Sequence, residues 1–304
     1  MRVGFFGSGA FGLPTLQSLI EGHDIAFVVS QPDRPAGRRR QLRATPISEL
    51  ALENGCRLLR PERLGASEID TIRSIEADAW VVIAYGLKLP PELLLDRFAC
   101  NLHGSVLPRW RGAAPIQRCL MAGDEVAGVS VITLAEVMDA GQILGTVETP
   151  VDPLETAGEL HDRLATFGPE AVGQVLSLHE SGSLEAVDQD ESFVTHAAKL
   201  SRAEATVDFN QPASRVRGWI HGLTPWPGCD VSIDSSTVRI KRVKDHGEEE
   251  SSGQIGCLVT EDRIQCKSGC IEILEVQPAG GRPMSWQDYC RGRDIKPGVT
   301  LESV

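Results

Sequence analysis

Residues 79–84 read Ala-Trp-Val-Val-Ile-Ala, apolar at every position. A strand with one wet face alternates apolar and polar residues, because successive side chains point to opposite faces. A strand apolar throughout has both faces covered, as in the centre of a parallel sheet clad by helices. The rest of the first half supplies such neighbours. Residues 3–6 form a short apolar run ending at Gly7, and residues 25–30 a second strand. Between them residues 13–21 read as a helix with Pro14 in its first turn. Thr45-Pro46 opens another helix, with Thr as N-cap and Pro at the first helical position. Residues 99–102, 129–134 and 142–147 are further strands, and 114–122 a helix. Residues 156–181 are helical in pattern, broken at Gly168-Pro169. This alternation predicts an α/β fold: an N-terminal open, mostly parallel, Rossmann-like sheet with helices on both faces.

The pattern changes after Leu184. Residues 188–201 are polar and helix-poor, which suits a linker. Beyond them short strand-like runs recur at 231–233, 237–243, 254–260, 263–267 and 271–277, separated by Gly, Ser and Asp clusters. That spacing predicts a small C-terminal β-barrel of OB-like type. The 304 residues suit two such domains. The expected division is 1–187 for the α/β domain, 188–204 for the linker and 205–304 for the barrel. The apolar run 79–87 is far shorter than the roughly eighteen residues of a membrane span. Glycines interrupt the first seven residues before a signal-peptide core forms. A cytoplasmic protein that engages no membrane is expected.

The eight cysteines, Cys56, Cys100, Cys119, Cys229, Cys257, Cys266, Cys270 and Cys290, are scattered. A disulfide framework does not fit this spacing. Cys266 and Cys270, with Cys257 and Cys290, can be drawn as a zinc site, but without a second paired knuckle buried thiols are the favoured reading. The net charge of −12 argues against a polyanion partner for the surface as a whole. The distribution is uneven: residues 1–199 carry 17 Lys+Arg against 27 Asp+Glu, residues 200–304 carry 13 against 15. Within the acidic half, residues 34–43 hold Arg34, Arg38, Arg39, Arg40 and Arg43 and no acid. The segment 31–44 reads as a long polar loop, mobile until a polyanion orders it.

Three motifs carry chemistry. Gly7-Ser8-Gly9-Ala10-Phe11-Gly12 matches the dinucleotide fingerprint G-x-G-x-x-G between a strand and a helix. The second strand lacks the acidic residue that a nicotinamide cofactor's ribose wants, although Arg34 suits a 2′-phosphate. A tight turn that needs small residues is the favoured reading. The second motif is residues 101–117, Asn-Leu-His-Gly-Ser-Val-Leu-Pro-Arg-Trp-Arg-Gly-Ala-Ala-Pro-Ile-Gln. Asn101 and His103 lie two apart at a strand's end and so share a side, at the edge where open α/β sheets bind ligands. An amide beside an imidazole is what acyl transfer needs at a developing oxyanion. Ser105 has no nucleophile elbow around it, which points to direct attack by a substrate group. The third is Val137-Met138-Asp139-Ala140-Gly141, where Asp139 is either a turn residue or the partner that orients His103.

The stretch from Asn101 to Gln117 resembles the core of the formyltetrahydrofolate-dependent formyltransferases, and the resemblance extends over essentially the whole chain. Its wording Ser-x-Leu-Pro-Arg-Trp-Arg-Gly-Ala-Ala-Pro-Ile-Gln is similar to members acting on aminoacylated tRNA. Residues 31–37 with the arginines after them resemble a tRNA-contacting loop, and Val82-Ile-Ala-Tyr-Gly86 a strand and loop bordering the folate pocket. Lys199-Leu200-Ser201 resembles the end of the family's linker, and Pro225-Trp226-Pro227 and Gln277-Pro-Ala-Gly280 resemble turns of its C-terminal barrel. The chain departs from the family in reading Met-Asp-Ala-Gly for Leu-Asp-Thr-Gly, and Gly-Ser-Gly-Ala-Phe for Gly-Thr-Pro-x-Phe. Both swaps fall on small or loop residues, and the second accounts for the dinucleotide match.

The resemblance implies transfer of the formyl group of 10-formyltetrahydrofolate, a co-substrate, to the α-amine of methionyl-initiator tRNA for translation initiation, by a monomer without a metal. It carries the catalytic roles onto Asn101, His103 and Asp139. It implies a folate site lined by Ser105, Val106, Leu107 and Pro108 and bordered by Ala84, Tyr85, Gly86, Leu87 and Lys88, with a cis Leu107–Pro108 bond. The tRNA contacts it implies are Arg34, Arg38, Arg39, Arg40 and Arg43. Arg239, Lys241 and Arg242 of the barrel form a second basic face or an ordinary solvated one. The rival readings are a formyltransferase acting on an amino-sugar nucleotide, an NADP-dependent oxidoreductase, and a non-catalytic RNA-binding module.

Overall fold

The structure is a computed structural model that describes residues 1–36, 41–234, 236–247 and 253–304. The chain forms two compact units. One comprises Met1–Arg111, Gly128–Glu148 and His161–Thr195, the other Gly112–Ala127, Thr149–Leu160 and His196–Val304.

Seven strands among the described residues make the sheet of the first unit: β1 (Arg2–Gly7), β2 (Asp24–Val29), β3 (Leu58–Leu59), β4 (Ala79–Ile83), β5 (Ala99–His103), β6 (Val126–Thr133) and β7 (Ile143–Pro150). Their order is β7-β6-β5-β4-β1-β2-β3. The pairs β1–β2, β1–β4, β2–β3 and β4–β5 are parallel, and β5–β6 is antiparallel. β4 stands in the middle, and all five of its residues are buried. An aromatic cluster fills one side: Phe6 lies 5.6 Å from Phe27, 5.3 Å from Trp80 and 5.9 Å from Tyr85. Gly4 makes room for it, since a Cβ there would stand 2.4 Å from the Phe27 ring. Helix α1 (Leu13–Gly22) has Pro14 in its first turn, and in α2 (Pro46–Glu53) the Thr45 side chain caps the Ser48 N–H. The helical stretch after residue 156 divides into Ala157–Ala165 and Gly168–Glu180. A Cβ at Gly168 would meet the Thr15 hydroxyl at 2.2 Å.

Two local expectations change. Residues 31–44 are not a structureless loop: Arg34–Ala36 pairs antiparallel with Gln41–Arg43, with Arg34 opposite Arg43. Proline and consecutive arginines hide this ribbon from strand propensity, because it is made by main-chain pairing alone. The second concerns 254–260, which is no continuous strand. It turns at Ile255-Gly256 and contributes only single bridges, Cys257 to Thr300 and Leu258 to Ile264.

The second unit is antiparallel. β8 (Cys229–Ile233), β9 (Ser236–His246), β10 (Arg263–Gln265), β11 (Cys270–Pro278), β12 (Met284–Ser285) and β13 (Glu302–Ser303) run in the order β10-β11-β9-β8-β13, with β12 beside β11. The bridges of Cys257 and Leu258 span from β10 to the residue before Leu301 and curl the sheet toward a barrel. Val231, Val238, Ile240, Ile264, Ile271 and Val276 are fully buried inside it. A helix the sequence pattern hides, Ala213–Gly222, packs on Pro115–Ala122 within this unit. Its glycines weaken helix propensity. They are there for closeness: a Cβ on Gly218 would lie 2.5 Å from the Leu120 carbonyl. No helix among the described residues is long and apolar enough to cross a membrane.

His221 sits on that helix, 1% exposed, and accepts the Val243 N–H at 3.1 Å. Burial, with Arg217 and Arg242 nearby, pushes its pKa down to about 3. The unfolded ring titrates near 6.5, so between those values the unfolded chain binds a proton that the folded chain refuses. Stability should therefore fall as pH drops below about 6.5, by up to about 1.4 kcal/mol per pH unit. Urea unfolding at several pH values should show this slope flattened in His221→Gln; an unchanged slope would assign it to other groups.

Candidate active site

The glycine motif is explained by packing. A Cβ on Gly7 would stand 2.6 Å from the Phe5 ring and 2.9 Å from the Ile83 carbonyl, and one on Gly12 would press on Phe5, Ile47 and Ile83. The Ser8 and Gly9 N–H groups, which a pyrophosphate would need, both donate to the Ala84 carbonyl at 3.2 Å. Ser8 Oγ donates to the Tyr85 carbonyl and accepts the Gln31 N–H, each at 3.1 Å, and Gln31 Nε2 donates to the Tyr85 carbonyl at 2.9 Å. The turn after β1, the exit of β2 and the exit of β4 are thus tied together.

Parallel pairing of β4 with β5, with Val82 beside Asn101, brings the exits of both strands to one edge. Ala84, Gly86, Leu87 and Lys88 are exposed there. Tyr85 differs, since its ring is buried against Phe6 and burial pushes its phenol up to about 12. It offers the edge only main chain.

Asn101 and His103 occupy the same side of β5. The Asn101 side-chain amide makes no hydrogen bond among the described residues. His103 is 7% exposed, with Nδ1 3.6 Å from Asp139 Oδ1 and Nε2 2.9 Å from the Trp110 carbonyl. A carbonyl only accepts, so Nε2 carries a hydrogen. Asp139 and Trp110 are both left-handed, at φ 56° and 64°. The Trp110 conformation is braced by Thr195, whose Oγ1 accepts the Trp110 N–H and whose carbonyl accepts the Arg111 N–H, both at 2.9 Å.

The turn from Ser105 to Pro108 contains a cis Leu107–Pro108 bond. Ser130, fully buried in β6, holds it: its Oγ accepts the Leu107 N–H at 3.0 Å and donates to the Ser105 carbonyl at 2.8 Å. Ser105 Oγ in turn donates to the Arg109 carbonyl at 2.6 Å. Leu107 and Ser105 are buried and Val106 and Pro108 half-buried. Ser130 and the Trp110 carbonyl escape sequence reasoning. A lone hydroxyl inside Val129-Ser130-Val131 is the one available sign of the first.

The basic residues divide in two. Arg34 and Arg43 face one another across the ribbon and have no carboxylate partner among the described residues, while Arg38, Arg39 and Arg40 lie outside the described residues. In the second unit Arg239 forks onto Asp230 at 2.7 and 2.9 Å, Lys241 bonds Glu275 at 3.1 Å, and Arg242 bonds Glu159. Cys266 and Cys270 are buried, and burial pushes the Cys266 thiol up to about 12. Among the described residues no three His, Cys, Asp or Glu side chains are grouped to hold a metal ion.

Two family models match the chain, formyl transferase over residues 1–176 and formyl transferase C-terminal domain over 199–294. The methionyl-tRNA formyltransferase of Nitrobacter winogradskyi is 41% identical, over 99% of both chains. That of Rhodopseudomonas palustris is 40% identical, over 100% of this chain and 99% of its own. Among solved structures, the sugar 3N-formyl transferase WlaRD, determined with dTDP and 5-N-formyl-THF, superposes with a TM-score of 0.66 at 15% identity, over 90% of this chain and 96% of its own.

The turn scaffold has a direct test. Ser130→Ala leaves the buried Leu107 N–H and Ser105 carbonyl without their partner, which should cost about 1–3 kcal/mol. Chemical denaturation of the variant checks this, and a loss below about 0.5 kcal/mol would show that the turn does not depend on Ser130.

Proposed function

The chain belongs to the formyl transferase family, and from that premise we infer that it transfers the formyl group of 10-formyltetrahydrofolate to the α-amino group of methionyl-initiator tRNA, giving the formylmethionyl-tRNA of translation initiation. The near-full-length relatives at about 40% identity support the tRNA acceptor. The amino-sugar acceptor has only likeness of fold at 15% identity behind it. We place the enzyme in the cytoplasm as a monomer, with 1–187 as its catalytic domain, 188–204 as linker and 205–304 as the tRNA-binding barrel.

One observation carries the chemistry: an uncommitted Asn101 amide beside a His103 ring held by Asp139, at the sheet edge where ligands bind. The co-substrate supplies an activated formyl group on N10. Attack by the unprotonated amine puts negative charge on the formyl oxygen, and Asn101 donates an N–H to it. His103 lies beside that oxygen and relays one proton: it takes the proton that the attacking nitrogen sheds once the new C–N bond forms and delivers it to the N10 nitrogen as the old C–N bond breaks. Asp139 holds Nδ1, and the Trp110 carbonyl holds Nε2 until substrate takes its place. Ser105, Val106, Leu107 and Pro108 line the folate site, with Ala84, Gly86, Leu87, Lys88 and the Tyr85 main chain at its border.

Arg34 and Arg43, with Arg38, Arg39 and Arg40, take the acceptor stem. Two guanidinium groups opposite each other on a ribbon repel, and a phosphate relieves that repulsion. Arg239, Lys241 and Arg242 must first give up carboxylates, so their face contributes less.

Asn101→Ala should lower kcat by roughly 10²–10³, with KM for formyltetrahydrofolate little changed; near-native turnover would remove Asn101 from the mechanism. For the arginines, Arg38, Arg39 and Arg40 replaced together by Ala should raise KM for tRNA. The salt slope should flatten by roughly one per lost phosphate contact. Unchanged KM and salt dependence would place tRNA binding elsewhere.

A further inference from the structure

We propose that Gln189 is a positioning residue that couples the buried Arg111 to the loop carrying Asp139. The inference rests on Asp139 acting through His103. Gln189 falls in the stretch that the sequence offers as mere linker. Its Nε2 donates to the main-chain carbonyls of Asp139, at 2.8 Å, and Gly141, at 2.7 Å. Its Oε1 accepts from Arg111 Nε at 2.9 Å. These partners fix the amide's orientation, since the flipped amide would set oxygen against two carbonyls and nitrogen against a guanidinium.

Each end of this bridge is itself constrained. Arg111 is 5% exposed, and its remaining nitrogens lie on the Glu191 carboxylate at 2.8 and 3.3 Å. A guanidinium that deeply buried depends on keeping all these acceptors. At the other end the loop has little freedom. Asp139 is left-handed at φ 56°, and a Cβ on Gly141 would lie 1.7 Å from the Thr133 carbonyl. Val187 and Ile143 exchange main-chain hydrogen bonds at 2.8 and 2.9 Å, and Gln142 Nε2 donates to Asp188 at 2.8 Å, so residues 187–189 run alongside the loop. One NH2 group gripping carbonyls two residues apart sets the peptide planes around Asp139. It thereby sets where the carboxylate stands relative to His103 Nδ1.

The test is a double-mutant cycle on kcat and KM, with Gln189→Ala and Gln189→Glu each made in the native enzyme and in Asp139→Asn. Gln189→Glu keeps an acceptor for Arg111 and replaces the donor that faces the Asp139 and Gly141 carbonyls; it carries the test if Gln189→Ala fails to fold. The expected result is a kcat loss of about tenfold in the native background, typical of coupled neighbours. KM for both substrates should stay within about twofold, and Asp139→Asn should show no further loss. Equal losses in both backgrounds would overturn the inference, because Gln189 would then act independently of Asp139. So would native kcat in both Gln189 variants when Asp139→Asn is impaired. If Asp139→Asn itself turns over at the native rate, the role of Asp139 fails first, and the inference with it.

Discussion

Side-by-side parallel strands decide where chemistry can happen in this chain. Because β4 and β5 run the same way, the loops leaving Ile83 and His103 emerge together, and β1 and β2 deliver the glycine turn and the arginine ribbon to the same edge. The Ala84 carbonyl, which accepts from both Ser8 and Gly9, and the Tyr85 carbonyl, which accepts from Ser8 Oγ, then bind the glycine turn to the exit of β4. With its N–H groups committed there, the turn serves as a wall and not as a phosphate cradle. The same geometry that denies a pyrophosphate those N–H groups leaves the end of β5, with Asn101 and His103, as the place we propose for the substrate.

Much of this architecture is legible in residues 1–187, for a physical reason. Buried parallel strands must be apolar throughout, and prolines and caps mark the helices between them, so β4, the Thr45 cap and the break before Gly168 can all be read locally. The trio Asn101, His103 and Asp139 is legible in part. The strand spacing puts two of them on one side, and Asp139 becomes a partner only once the fold brings it 3.6 Å from His103. What cannot be read is whatever depends on distant main chain. The helix over residues 213–222 looks like poor helix because its glycines are chosen for the closeness of another helix. The pairing of Arg34–Ala36 with Gln41–Arg43 is main-chain hydrogen bonding that arginine and proline do not advertise. Residues 254–260 have the composition of a strand and are spent on two isolated bridges.

Charge is arranged by the same distinction between satisfied and unsatisfied groups. An excess of acid over the whole chain keeps polyanions off most of its surface. On the barrel strand β9, Arg239, Lys241 and Arg242 are already matched by Asp230, Glu275 and Glu159. On the ribbon, Arg34 stands against Arg43, and neither has a carboxylate partner among the described residues. A count of basic residues ranks the two places as comparable. The partners they already hold rank the ribbon well ahead.

The site itself is held by hydrogen bonds to main chain more than by side-chain packing. Ser130 fixes the Ser105–Leu107 turn, Thr195 fixes Trp110, the Trp110 carbonyl fixes His103, and Gln189 spans Arg111 and the Asp139 loop. Two of these supports, Thr195 and Gln189, come from a stretch whose polarity makes it look like spacer. A left-handed Trp or Asp costs energy unless its surroundings insist on it, and polar side chains aimed at specific carbonyls and N–H groups are what insist here. Directional bonds of this kind hold a ring nitrogen to within a fraction of an ångström, a precision that apolar packing around a small polar cluster does not provide. Gln189 and Thr195 are therefore polar because the loops they brace present backbone, and their identities record the demands of the site next to them.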